Sequence, residues 1–361
     1  NIKKFLKLEN SFTKLTEVDV IIICLPTPLD KKKRPDLSYI EKNFKEIFPY
    51  LRKYQAIILE STSYPGTTRQ VYEKKLKTKF KIGKDFKLIF SPEREDPGRK
   101  DFEQENVPKI VSGYSKSCLL TGKLINSIIY KKIIPVESLE IAEMTKIYEN
   151  VFRAINIGFV NEMKKVTKKL NLDIHKVIKY ASTKPYGFMP FFPGPGLGGH
   201  CIPIDPFYLS WLAKKKGAST KFIELAGEIN TGMPNWLINQ VKEYFKNTFY
   251  KKKCLILGVA YKADVNDCRE SPAFEIMKIL KKNNIKFNYF DPNVPELPKS
   301  RNFKFNTKNI MINKSELLKY DYVLLLTDHK NVNYNFILKN SKVVFDTRNV
   351  YKSENSKVIK C

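Results

Sequence analysis

The run Val18-Asp19-Val20-Ile21-Ile22-Ile23-Cys24-Leu25 is near-continuously apolar and closes on Pro26-Thr27-Pro28. A strand apolar on both faces has to be covered on both, the condition met inside a parallel sheet flanked by helices. The pattern recurs down the chain. A helix is expected from about Ser38 to Lys53, then a strand from Ala56 to Glu60 ending in Ser61-Thr62-Ser63-Tyr64-Pro65-Gly66-Thr67. Another helix and the strand Phe86 to Phe90 follow, leading into Ser91-Pro92-Glu93-Arg94-Glu95-Asp96-Pro97-Gly98. Strands alternating with helices mean a doubly wound sheet, and ligands sit beyond the carboxyl ends of its strands. All three loops lie at such ends. No strand–GxGxxG–helix fingerprint opens this sheet, although a nucleotide-binding sheet of this kind starts with one.

From about Glu137 to Leu170 the pattern is that of one long helix. Lys146 and Asn150 are four residues apart, hence on one face, with Asn161 near it. A solvated polar stripe is one reading. Apolar neighbours around Asn150 and Asn161 allow a buried or interfacial face as the other. A second helical run, Thr220 to Lys246, is expected to break near Pro234. From Lys253 a smaller α/β unit begins, with strands at Cys254 to Lys262, Lys286 to Asp291, Asp321 to Thr327 and Lys342 to Asp346. Its first strand is followed by a single loop glycine, Gly258, so dinucleotide binding is not indicated. Lys262, Arg269 and a helix start capped by Ser271 are either a phosphate cradle or ordinary surface.

Gly194-Pro195-Gly196-Leu197-Gly198-Gly199-His200-Cys201-Ile202-Pro203-Ile204-Asp205-Pro206 sets a cysteine on a glycine-rich loop. Asp205 is expected as N-cap and Pro206 in the first turn of the next helix. Glycines let a ligand approach the main chain, and a helix N-terminus favours a thiolate. Most cysteines are instead small buried hydrophobes.

Composition narrows the classes. The 361 residues, 42% hydrophobic, suffice for two or three domains with real cores. No apolar run approaches the length of about 18 residues needed to span a bilayer, and no secretory signal is visible. Six scattered cysteines without a CxxC pair, and three histidines, argue against zinc, other metals and disulfides and fit a reducing cytoplasm. The net charge of +28 comes from lysines spread in short runs such as Lys251-Lys252-Lys253. Without a basic arm or an aromatic-basic repeat, a nucleic-acid or anionic-surface binder is disfavoured.

Six stretches, in order, resemble the UDP-glucose/GDP-mannose dehydrogenase family. They are Pro26-Thr27-Pro28, Ser61 to Thr67, Ser91-Pro92-Glu93, Glu143-Met144-Thr145-Lys146 with Asn150, the cysteine loop, and Ala260-Tyr261-Lys262 with Asp267 and Arg269-Glu270-Ser271-Pro272. The resemblance implies two Rossmann-like doubly wound domains joined by a central all-helical dimerisation domain. It divides the chain into an NAD-binding part (1–136), a helical part with the cysteine loop (137–250) and a UDP-sugar-binding part (251–361). The family's glycine fingerprint lies upstream of Asn1, so the chain is expected to be truncated, with a silent remnant as one alternative.

The implied reaction oxidises the C6 hydroxyl of a UDP-N-acetylhexosamine twice, using NAD, to a uronate for surface polysaccharide. UDP-N-acetylglucosamine is the expected sugar, with UDP-N-acetylmannosamine and UDP-glucose as alternatives. The implied roles are Cys201 as nucleophile, Lys146 and Asn150 on the oxyanion, Asp205 orienting water or the lysine, and Glu93 and Thr62 on the hydrolytic water. Pro26, Thr27, Thr62 and Arg269 would serve the cofactor. Glu93, Arg94, Lys146, Asn150, Gly198 and Lys262 would serve the substrate. A homodimer or higher oligomer is expected, with no metal, nucleic acid or membrane insertion. Two departures stand out: Pro97 replaces a second glutamate of the UDP-glucose enzymes, and His200 precedes the cysteine, either tuning the thiol or lining the pocket.

Overall fold

The structure, a computed structural model, describes residues 5–30, 32–95, 103–199, 201–298 and 305–361. In chain order the main elements begin with β1 (Val20–Ile23), α1 (Ser38–Ile47), β2 (Gln55–Leu59), α2 (Lys74–Leu76), β3 (Phe86–Phe90), β4 (Lys109–Gly113), α3 (Lys116–Asn126) and β5 (Ile133–Pro135). Four helices follow: α4 (Leu139–Lys169), α5 (Ile174–Ala181), α6 (Asp205–Lys215) and α7 (Lys221–Phe245). The last elements are β6 (Cys254–Leu257), α8 (Pro272–Lys282), β7 (Phe287–Phe290), α9 (Lys314–Leu317), β8 (Tyr322–Leu325), α10 (Tyr334–Asn340), β9 (Val344–Asp346) and β10 (Val358–Lys360). Two compact units result: Asn1–Asn150 with Ile204–Ser219, and Val151–Pro203 with Thr220–Cys361.

In the first unit the sheet order is β1-β2-β3-β4-β5. Strands β1, β2 and β3 are parallel, as their apolar runs predict, and Ala56 to Leu59 and Leu88 to Phe90 are all buried. The sheet is not wholly parallel: β4 runs antiparallel to β3. Helix α1 stops at Ile47 rather than Lys53 and tightens into a 3-10 turn, Phe48–Tyr50. Pro49 is the cause, since it lacks the N–H that a continuing helix needs.

In the second unit five parallel strands run in the order β10-β9-β8-β6-β7. The first strand in sequence, β6, has β7 on one side and β8 on the other, so the order reverses there. That reversal opens a crevice at the carboxyl ends. Gly258 makes it tight: a Cβ there would lie 2.5 Å from Thr327 Cβ.

The expected long helix is α4, 31 residues in one piece, with Lys146 and Asn150 in the part belonging to the first unit. The expected break at Pro234 does not occur, and α7 runs through it. Met233, Pro234, Leu237, Ile238 and Val241 are all buried on that helix. Their burial, at roughly 1.5–3 kcal/mol for each large side chain, outweighs the roughly 3 kcal/mol an internal proline costs. Among the described residues no helix is long and apolar enough to cross a membrane.

Candidate active site

Helix α4 carries Glu143, Lys146 and Asn150 at spacings of three and four, so all three share a face. All are buried, at 0%, 8% and 3% exposure. Asn150 Nδ2 donates to Asp205 Oδ2 at 2.5 Å. Asp205 is therefore not the N-cap. It sits in the first turn of α6, Ile204 occupies the cap position without a side-chain bond, and the carboxylate is taken by Asn150 instead. Burial pushes the Asp205 carboxyl up to about 7, against the pull of Asn150 and of the Lys146 charge. The Lys146 ammonium makes no hydrogen bond or ion pair among the described residues. An amide, an acid poised near neutrality and an unpaired buried cation thus form one polar set.

Glu143 anchors the loop after β2 to the same helix. Its Oε2 accepts from Gly66 N at 2.5 Å, and its Oε1 from Thr68 N at 2.8 Å and Thr68 Oγ1 at 2.6 Å. Burial nevertheless pushes the Glu143 carboxyl up to about 7. The loop after β1 is tied in as well. Thr27 Oγ1 donates to Thr62 O at 2.8 Å, and Tyr208 of α6 donates its hydroxyl to Thr27 O and Pro28 O. Thr27 is thus a loop tie, its hydroxyl already taken. Thr62 is half-buried and its own hydroxyl has no partner among the described residues; beside it the buried Ser63 hydroxyl is also unpaired.

Glu93, at the carboxyl end of β3, is heavily bonded. Oε2 accepts from Lys109 Nζ at 2.9 Å and from the Tyr130 hydroxyl at 3.0 Å; Oε1 accepts from Arg94 N at 2.8 Å and Glu95 N at 2.9 Å. Burial raises its pKa, but Lys109 and the other donors outweigh that and hold the carboxyl below its usual range. Lys109, 1% exposed, also bridges to Glu60 Oε1 at 3.0 Å. Arg94 has its guanidinium on Glu149, at 2.6 and 3.3 Å, and on Pro108 O at 2.7 Å. Lys109, Glu60 and Tyr130 escape a reading of the sequence. One lysine at a strand start carries no signal in a chain with 65 basic residues.

In the second unit Cys201 is half-buried, in the turn preceding α6. The glycines before it press the loop onto the segment 261–272. A Cβ on Gly198 would lie 2.6 Å from Tyr261 Cβ, and Gly199, at φ +86°, donates its N–H to Arg269 O at 2.9 Å. The protein itself, rather than a ligand, fills the space these glycines leave. Gly194, Gly196 and Gly199 spell G-x-G-x-x-G, but between helices with no strand before them. Arg269 clasps Asp267 at 2.6 and 2.9 Å, which with burial opposing leaves its pKa raised, and the Cys201 charge also reaches it. Lys262 lies half-buried after β6. His200, Asp96, Pro97 and Gly98 lie outside the described residues.

Asp291, just beyond β7, stands where a dinucleotide domain of this type keeps its ribose-binding acid. Here Oδ2 accepts from Val259 N at 2.7 Å, Ala260 N at 2.9 Å and His329 Nε2 at 3.0 Å. Burial raises its pKa, and these donors more than reverse the effect. His329 Nδ1 accepts from Asp264 N at 3.0 Å, which fixes the hydrogen on Nε2. Oδ2 of the acid is taken up by the main chain after β6 and by the histidine after β8.

Three family models match the chain: the NAD-binding domain of the UDP-glucose/GDP-mannose dehydrogenase family at residues 1–134, its central domain at 140–232 and its UDP-binding domain at 255–353. The chain belongs to the UDP-glucose/GDP-mannose dehydrogenase family. A UDP-N-acetyl-D-mannosamine dehydrogenase of Methanococcus maripaludis is 34% identical over 356 residues, covering 94% of this chain and 78% of that protein. A UDP-N-acetyl-D-glucosamine 6-dehydrogenase of Pseudomonas aeruginosa is 34% identical over 290 residues, covering 77% and 67%. The solved UDP-D-ManNAc dehydrogenase of Pyrococcus horikoshii matches with a TM-score of 0.86 at 28% identity, covering 98% of this chain and 82% of that one.

As a member of the UDP-glucose/GDP-mannose dehydrogenase family, this chain is an NAD-dependent UDP-sugar dehydrogenase. Its residues suit that cofactor. The unpaired Thr62 hydroxyl lies in a loop at the carboxyl end of parallel strands, where a nucleotide is held.

Proposed function

We propose that the chain oxidises the C6 hydroxyl of a UDP-N-acetylhexosamine to the carboxylate through a thioester on Cys201, with UDP-N-acetylmannosamine as the sugar. The observation that carries the reading is the buried set Lys146, Asn150 and Asp205. NAD, when bound, supplies the hydride acceptor for each of the two oxidations. Thr62 would hold it, with Pro26 and Thr27 shaping the loop beside it and Arg269 as a further contact.

The Cys201 thiolate adds to the C6 aldehyde, forming the C–S bond and an alkoxide. Lys146 and Asn150 donate to that alkoxide, a preorganised stabilisation of developing charge. After the second oxidation, water adds to the thioester carbon. The C–S bond breaks, the thiol leaves with a proton and the carboxylate departs. Asp205, near neutrality, is suited to hold the proton the water gives up. Glu93 and Thr62 orient that water. Gly198 and Lys262 serve the nucleotide sugar, and Arg94 helps through its tie to Glu149. The balance is one alcohol, one water and two NAD+ giving one carboxylate, two NADH and three protons.

We read residues 1–136, 137–250 and 251–361 as the cofactor, helical and UDP domains, the helical one pairing two copies. The gluco epimer, expected from the sequence, has the support of a relative matched over 77% of the chain; the manno epimer replaces it here, following a manno-epimer dehydrogenase matched over 94% of the chain. Over UDP-glucose, a site bonded to the acetamido N–H and C=O rejects the 2-hydroxyl sugar, because its polar partners would be left bare. Comparing kcat/KM for the three sugars by NADH formation tests this. A preference for the manno epimer is expected. A preference for the gluco epimer would reverse the epimer assignment, and one for UDP-glucose would overturn the acetamido reading.

A further inference from the structure

The Glu93 network contains a buried cation to which no role has been given. Lys109 starts β4 and bridges two carboxylates from two other strand ends, Glu60 after β2 and Glu93 after β3. Its ammonium also lies 4.9 Å from the centre of the Tyr130 ring, and Tyr130 bonds the same Glu93 oxygen as Lys109 does. Cys24, after β1, donates to the other Glu60 oxygen at 3.5 Å. Groups from each of β1 to β4 therefore converge on one point at a sheet edge.

A lysine 1% exposed would be costly if its two acids did not face it, and each acid would be costly without the lysine. Charge-assisted bonds from one buried cation fix direction as well as energy. We propose that Lys109 is a positioning residue for the hydrolytic half of the reaction: bridging Glu60 and Glu93, it locks the Glu93 carboxylate in the orientation that directs water at the thioester. This rests on the function proposed above. Glu93 is faced by Lys109, Tyr130, the backbone of Arg94 and Glu95, and Gln104 at 3.5 Å. Of these, Lys109 is the cation among the bonded side chains. Without it the carboxyl loses a compensating charge and also its fixed position.

The test is a set of rapid-quench single turnovers with the full chain, NAD+ and the UDP-sugar, across pH. In Lys109→Met the first NADH should form at close to the wild-type rate, while release of uronate slows on the order of tenfold or more, as expected for a displaced water-orienting group. The cysteine thioester should accumulate, and the pH profile of hydrolysis should move upward. Lys109→Arg, which keeps the bridging charge, should restore most of the rate. Should Lys109→Met fold poorly, Glu60→Gln/Lys109→Met removes one stranded carboxylate and is read the same way. Unchanged hydrolysis in the methionine variants, equal slowing of both halves, or no rescue by arginine overturns the proposal. A wild-type chain that releases uronate without any thioester, or makes no uronate, overturns the functional reading itself, whatever Lys109 does.

Discussion

Asp205 and Glu93 are carboxylates of the same unit that have been treated in opposite ways. Asp205, 3% exposed, is bonded by the Asn150 amide, and burial lifts it to about 7. Glu93 is less buried, collects four close donors including a buried ammonium, and is held below the ordinary carboxylate range. Depth and pairing, not residue type, separate them. A group near neutrality can take up and return a proton in a working cycle, whereas a saturated carboxylate serves as a fixed anion. Under the proposed function, the difference suits Asp205 to proton handling and Glu93 to water orientation.

The sharpest way to break this contrast is to remove the proton site alone. Asp205→Asn keeps the shape and an acceptor for Asn150, so the fold should survive. Uronate formation should fall by about 10²–10⁴-fold, the usual span for a general acid or base. The pH dependence of the residual rate should lose its limb near neutrality. Steady-state profiles from pH 5 to 9 would check it, and an unchanged limb would move the proton to another group.

A smaller effect sharpens the contrast through stability. Asp205 and Glu143 both have folded pKa values of about 7, above the unfolded value of about 4. Between those limits the folded protein holds protons the unfolded chain has released, so their contribution falls as pH rises through that window. Glu93 is shifted downward, so its contribution is present above the unfolded pKa and lost as pH falls through the folded one. Urea unfolding should find Asp205→Asn more stable than wild type at pH 8, by on the order of 1–3 kcal/mol, and the two alike near pH 4. Glu93→Gln should be less stable at pH 8 and converge with wild type in acid. The opposite signs would undo the assignment.

Much of the fold was legible because it follows from local rules. The apolar runs at Val20–Ile23 and Cys254–Leu257 became sheet strands, and Lys146 and Asn150 fell on one helical face. Ser271 caps α8 as expected, its side chain accepting from Ala273 N. What sequence could not convey depends on partners far along the chain. Asp205 followed by Pro206 looks like a cap, and only the arrival of Asn150, 55 residues away, redirects its carboxylate. Pro234 should break a helix, yet the packing of its neighbours keeps α7 whole. Lys109 lies 49 residues from Glu60 and 16 from Glu93, by subtraction of their positions, and no period links them.

The most direct measurement is on the cysteine. The full chain would be incubated with NAD+ and the UDP-N-acetylhexosamine, quenched in acid and digested, and the peptide carrying Cys201 weighed. The account predicts a sugar-nucleotide adduct on Cys201 that disappears as uronate forms, two NADH for each uronate, and no uronate from Cys201→Ala although it remains folded. Turnover of Cys201→Ala at the wild-type rate, with no adduct on the wild-type cysteine, would contradict it.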